Sequence, residues 1–210
     1  MLKHKFKILF IIILAVGISL SAIVELNHKI DRHILSAASP KYVTPLPSNA
    51  APSPIQTIMM ETPDGTKTLT MKRQKVDSYL VYSFFTSAKS DNSEKLIFRK
   101  VLISSQSLSI PYNTWSPDNV YFFLKETTPT VNNYYVFNSS GSSFPDGSQY
   151  VNIQDLFSQK LPQYTIDEVT GWGAPDLIIV NAKKNERRQK YSFWFEVSSQ
   201  SFIQLSTYFD

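Results

Sequence analysis

The strongest constraint in the sequence is a proline that recurs where a strand has to stop. Three stretches share it: "METPDGTKTLTMK" (60–72), "TWSPDNVYFFLK" (114–125) and "GWGAPDLIIVNAK" (171–183). Each places Pro-Asp directly before an apolar, strand-forming run. The aspartates are Asp64, Asp118 and Asp176. Proline presets φ for a turn, and aspartate accepts hydrogen bonds from amides just beyond it, so Pro-Asp ends one strand and opens the next. An aromatic strand comes after it each time: "SYLVYSFF" (78–85), "NNYYVFN" (132–138) and "KYSFWFEV" (190–197). The first and third repeats add "EKLIFRKVLI" (94–103) and "QSFIQLST" (200–207). Fourteen Phe, eleven Tyr and only six Gly agree with a strand-rich core.

A period of about 50 residues with several short strands predicts an all-β fold of repeated sheets. The stretch "PYNTWSPDNVYFFLK" followed by "NNYYVFNSSG" resembles the repeat of TolB-type, WD40-like β-propellers, also seen in the propeller domain of dipeptidyl peptidase IV relatives. That repeat has a large aromatic, Ser-Pro-Asp-Gly, a strand, and a tyrosine-rich strand closing on a polar turn. The resemblance covers about residues 58–206 and is best in the middle. The first repeat lacks the Trp and has Thr62 for Ser; the last has Ala174 for Ser and Leu177 for Gly. It implies about three four-stranded antiparallel blades. Trp115 and Trp172 are expected at the end of a first strand, covering the next blade. The span 142–169 is expected as an insertion in a connecting loop. Within it "FPDG" makes a turn, and "NIQDLFSQKL" forms helical turns with Ile153, Leu156, Phe157 and Leu161 on one face.

The N-terminus reads differently. Lys3, Lys5 and Lys7 precede "ILFIIILAVGISLSAIV" (8–24), which has no charge. As a helix it is about 25 Å long, close to the thickness of a bilayer core. Leu26, Ile30 and Ile34 continue one helical face beyond it, which favours an uncleaved anchor; release after signal-peptide cleavage is the alternative. The basic start sets the N-terminus in the cytoplasm and the rest outside. Residues 36–57 hold five prolines and read as an extended linker. The expected organisation is therefore an anchor with its extension (1–35), a linker (36–57) and a β domain (58–210).

The +4 net charge belongs entirely to the tail. Residues 1–57 carry six Lys/Arg and two acids, whereas residues 58–210 carry fifteen of each. A neutral domain lacks the basic footprint that nucleic acid requires, so no nucleic-acid partner is expected. The chain has no Cys, and its three His lie before residue 34. A Ser-His-acid triad cannot be built within it. No catalytic, cofactor-binding or metal-ligating residue is assigned, and no cofactor is expected. Asp64, Asp118 and Asp176 are expected to cap their own turns, and "GWGA" (171–174) lacks the serine of a nucleophile elbow. "KKNERRQK" (183–190) is read as a solvated hairpin tip, with contact to anionic lipid head groups or an acidic partner as the alternative.

The expected function is a membrane-tethered binding or scaffold domain at the cell envelope. Its partners would be the membrane through residues 8–24, an envelope protein, and in one arrangement a second copy that completes a six-blade ring. An open arc of one chain is favoured over that ring. The alternative functions are an accessory propeller fragment of a hydrolase system and a cell-wall carbohydrate-binding module. The topology has a direct test. Protease added to spheroplasts digests the β domain and leaves residues 1–7 protected; a domain shielded in the cytoplasm overturns the orientation.

Overall fold

The middle of the chain carries two neighbouring strands that are too apolar to face water on either side, and the architecture is built around them. The computed structural model describes residues 53–186 and 189–209. The expected anchor and most of the linker lie outside the described residues. Among the described residues no helix is long and apolar enough to cross a membrane.

Among the described residues, twelve strands form three antiparallel sheets of four. The first contains β1 (Gln56–Glu61), β2 (Lys67–Val76), β3 (Tyr79–Ala88) and β4 (Asp91–Ile103). The second contains β5 (Ser107–Ser109), β6 (Tyr121–Thr127), β7 (Asn132–Asn138) and β8 (Tyr150–Asn152). A helix, α1 (Ile153–Lys160), leads to the third, with β9 (Tyr164–Ala174), β10 (Leu177–Lys184), β11 (Lys190–Glu196) and β12 (Ser201–Gln204). Each sheet pairs its strands in chain order, as a simple meander.

Two cores separate these sheets. Phe122, Leu124, Tyr135 and Phe137 of the middle sheet pack with Leu69, Met71, Tyr82, Phe84, Ile97 and Phe98 of the first. The alternate residues Phe123, Tyr134 and Val136 pack with Ile178, Val180, Phe193 and Phe195 of the third, and with Ile153 and Phe157 of α1. The middle sheet is therefore buried on both faces, with the other two stacked against it. Burying each of these large side chains contributes about 1.5–3 kcal/mol.

The span 142–169 is more than the expected loop insertion. "FPDG" does make a turn, in which Phe144 N donates to Ser148 O at 2.8 Å and Gly147 N to Phe144 O at 2.8 Å. Beyond that turn the chain forms β8, the fourth strand of the middle sheet, then α1, then the first half of β9. The helix turns as its sequence predicts. Asn152 caps it by accepting from Gln154 N at 3.1 Å, Ile153 and Phe157 are buried, and Leu156 and Leu161 pack alongside. The β domain also begins slightly earlier than expected, at Gln56.

The tryptophans face the other way from expectation. Each reaches back to the preceding sheet. The Trp115 indole donates to Met60 O at 3.2 Å, and the Trp172 indole donates to Thr114 O at 3.0 Å. Met60 and Thr114 hold equivalent positions, three residues before their Pro-Asp prolines. A polar seam reinforces the first junction. Lys100 lies 2.9 Å from Glu126, whose carboxylate also accepts from Tyr135 at 2.5 Å and Asn133 at 2.9 Å.

The outermost faces differ. On the third sheet Asn181 and Ser192 point away from the core but are buried, because residues 205–209 run over them. Phe209 N donates to Ser192 Oγ at 2.9 Å and Asn181 Nδ2 donates to Phe209 O at 2.5 Å. On the first sheet the outward residues Tyr79, Leu96, Val101 and Ile103 are each at least half exposed.

Trp115 is 6% exposed and joins two sheets through both its ring and its N–H. Trp115→Ala is therefore expected to lower the unfolding free energy by about 3–5 kcal/mol. Denaturant titration of the full chain checks this, and a loss under about 1 kcal/mol would mean that the ring carries no junction.

Candidate functional site

The Pro-Asp turns of the first two sheets share one hydrogen-bonded framework. Thr62 and Ser116 supply buried hydroxyls that accept from the amide five residues on, Lys67 N at 3.0 Å and Tyr121 N at 2.9 Å. The same hydroxyls donate to the aspartates, Thr62 to Asp64 at 2.7 Å and Ser116 to Asp118 at 2.6 Å. Each aspartate also accepts from the amide two residues on, Thr66 N at 3.0 Å and Val120 N at 3.2 Å. Gly65 and Asn119 then take left-handed backbone at φ 67° and 60°, a conformation glycine and asparagine tolerate.

The third turn departs from this pattern. Ala174 has no hydroxyl, and it pairs directly with Leu177 across a two-residue Pro175-Asp176 turn. Asp176 therefore does not cap its own turn. Its carboxylate accepts from Ser198 N at 3.1 Å and Ser198 Oγ at 2.5 Å, tying β10 to the β11–β12 connection. The three aspartates are thus separately engaged. Among the described residues no group of three or more His, Cys, Asp or Glu is close enough to hold a metal ion.

At this end of the stack the three sheets leave a cleft of about 600 Å³. Met60, Glu61 and Pro63 come from the first sheet; Tyr112, Asn113, Trp115 and Pro117 from the segment before β6; and Trp172 from β9. The close approach of the last two walls depends on Gly171. A Cβ there would lie 2.7 Å from Asn113 Cβ, and its φ of 142° is one that side-chain-bearing residues rarely adopt. Asn113 Nδ2 donates to Thr170 O at 3.3 Å across that contact. Gly171 of "GWGA" thus serves packing between sheets, whereas a Cβ at Gly173 would meet Trp194 and Ile179 of its own sheet.

The cleft is aromatic and faintly acidic. Tyr112 is 88% exposed, Trp172 is half-buried and Glu61 is exposed. Behind Trp172, Tyr121 stacks at 6.2 Å. Burial raises the Tyr121 phenol above its ordinary pKa, and the nearby charges of Asp176 and Asp118 push it the same way. Sequence reasoning placed Trp115 and Trp172 but not Tyr112, Asn113 or Glu61. The adjacent "PYNTW" (111–115), with a tyrosine outside any strand, was the available signal.

The basic hairpin lies elsewhere. Lys183 pairs with Asp167 at 2.5 Å and Lys190 sits 4.7 Å over the Tyr208 ring. Arg187 and Arg188 lie outside the described residues. No protein-family model, no curated protein and no solved structure matches the chain.

The turn chemistry has a pH signature. Donation from Thr62, then from the Thr66 amide and hydroxyl, holds the Asp64 carboxyl at about 2, below the ordinary 3.8. A carboxyl depressed by folding adds stability above its unfolded pKa and loses it as pH falls through the folded value. Asp64→Asn is therefore expected to flatten the fall in stability between about pH 4 and pH 2. Denaturant midpoints measured across that window check this; slopes identical to the parent's would refute it.

Proposed function

We propose that the protein is a membrane-tethered, extracytoplasmic binding module, a three-bladed β-propeller-like arc whose cleft receives a protein partner at the cell envelope. The observation that carries the reading is the cleft itself. It is aromatic, open and formed jointly by three sheets, with Tyr112 almost fully solvated at its mouth. An exposed tyrosine beside half-buried tryptophan is the composition of an interaction surface. The sequential meanders and the back-reaching tryptophans support the propeller-like reading. The uncharged run 8–24 and the proline-rich linker support the tether.

A binding role also fits the chemistry present. The residues around the cleft are aromatics, prolines, a methionine, one amide and one carboxylate. None of them pairs a nucleophile with a base. A single-chain arc is favoured over a two-chain ring. A second copy stacking on the third sheet would meet residues 205–209, which already cover Asn181 and Ser192.

Photo-crosslinking in intact cells tests the reading. A photoreactive residue at Tyr112 is expected to give a discrete adduct in the membrane fraction. The same residue at Glu186, on the exposed hairpin tip, is expected to give none. Absence of an adduct at Tyr112, or equal adducts at both, would remove the cleft as the partner site.

A further inference from the structure

We propose that the cleft binds an organic cation, an alkylammonium or guanidinium group that the partner presents to Trp172, Tyr112 and Glu61. This rests on the cleft being the binding site, and adds the chemical class of the group that enters it.

The balance of donors and acceptors decides the class. A ligand site for neutral hydroxyls or amides must offer both. Here most side-chain donors are already committed. The Trp115 and Trp172 indole N–H groups donate to Met60 O and Thr114 O. Asn113 Nδ2 donates to Thr170 O. Of the described lining residues, the Tyr112 hydroxyl and the second Asn113 amide N–H keep side-chain donors for a ligand, while both indoles are committed. The cleft offers ring faces and the Glu61 carboxylate.

Among the described residues no Lys or Arg lines the cleft, and no cation pairs with Glu61. Lys67, the basic residue that closes the first Pro-Asp turn, is committed to Asn119 O and Ser139 Oγ at 3.0 Å each. The surroundings add to the negative potential, since Asp118 follows Pro117 and both Asp118 and Asp176 act on Tyr121 behind Trp172. Ring faces attract a cation through their quadrupole when it sits within about 6 Å, and a carboxylate at the rim adds a Coulomb term. Anions and donor-seeking sugars are disfavoured for the same reason.

The test uses the full-length chain in a non-ionic detergent, with intrinsic tryptophan fluorescence as readout. The probe is choline chloride, against sodium chloride at equal ionic strength. Its neutral carbon isostere, 3,3-dimethylbutan-1-ol, serves as the comparison. Choline is expected to change the emission saturably, in the millimolar range. The isostere is expected to bind at least about tenfold more weakly, since only the charge distinguishes the two. Tyr112→Ala and Glu61→Gln are each expected to weaken choline binding about two- to fivefold. Both residues are exposed, and unchanged near-ultraviolet circular dichroism shows that the fold is kept. No saturable response to choline, equal binding of the isostere, or saturation by N-acetylglucosamine instead would each overturn the proposal. The Tyr112 crosslink does not depend on ligand charge. If it persists while choline fails, the binding module stands and only the cation is lost.

Discussion

Everything in this fold depends on a middle sheet that cannot face water on either side. In β6 the successive residues Phe122, Phe123 and Leu124 are all fully buried, and in β7 Tyr134 to Phe137 are at most 4% exposed. A half-solvated strand would alternate apolar and polar residues; these do not. Their side chains therefore demand a partner layer on each face. The flanking sheets meet that demand with one apolar core face each, and the first sheet alternates much more clearly. In β3, for example, Tyr82, Phe84 and Thr86 are buried while Val81, Ser83 and Phe85 are partly exposed. The pattern of one hairpin thus dictates three layers.

Stacking alone would let the sheets slide. The register between them is fixed by directional bonds at the edges of the two cores. At the strand-turn end, each tryptophan donates to the backbone of the preceding sheet. Beside them Asn119 donates to Asp64 at 2.7 Å, which joins two Pro-Asp turns across the same junction. Deeper in, Glu126 is a carboxylate only 3% exposed. Burial pushes its pKa up, but donors from Tyr135, Lys100 and Asn133 together outweigh that and hold it below the ordinary value. Removing one member would strand the others, so this network opposes any shift of the first sheet against the second.

The strands that the sequence made legible are those flanked by a turn with its own chemistry. Pro63-Asp64 and Pro117-Asp118 announce β2 and β6, and the aromatic runs announce β3, β7 and β11. The strands it hid are those stabilised only by a neighbour. β8 is three residues long, too short for any period to show. β9 carries Asp167 and Glu168 in mid-strand and shifts register three times against β10, so its alternation is broken. The direction of the tryptophans was also hidden, because a ring at a strand end can serve either neighbour. Asp176 shows the limit of reading by analogy. With Ala174 for the hydroxyl and Leu177 for the left-handed residue, its turn closes in two residues and its carboxylate serves another connection. The cleft was hidden most fully, since its walls come from residues 60–63, 112–117 and 172.

The same bonds that lock the sheets determine which groups the cleft can recognise. A tryptophan lining a groove normally brings a donor and a face. Here the lock takes the donor from both, and the Gly171 contact takes one of the two amide donors of Asn113. Among the described residues the first sheet has no sheet before it, so the position that holds Trp115 in the middle sheet has nothing to lock onto. It is Glu61, exposed and lining the cleft. A position released from packing at one end of the stack thus supplies the charge in a site whose other walls are mostly rings and prolines.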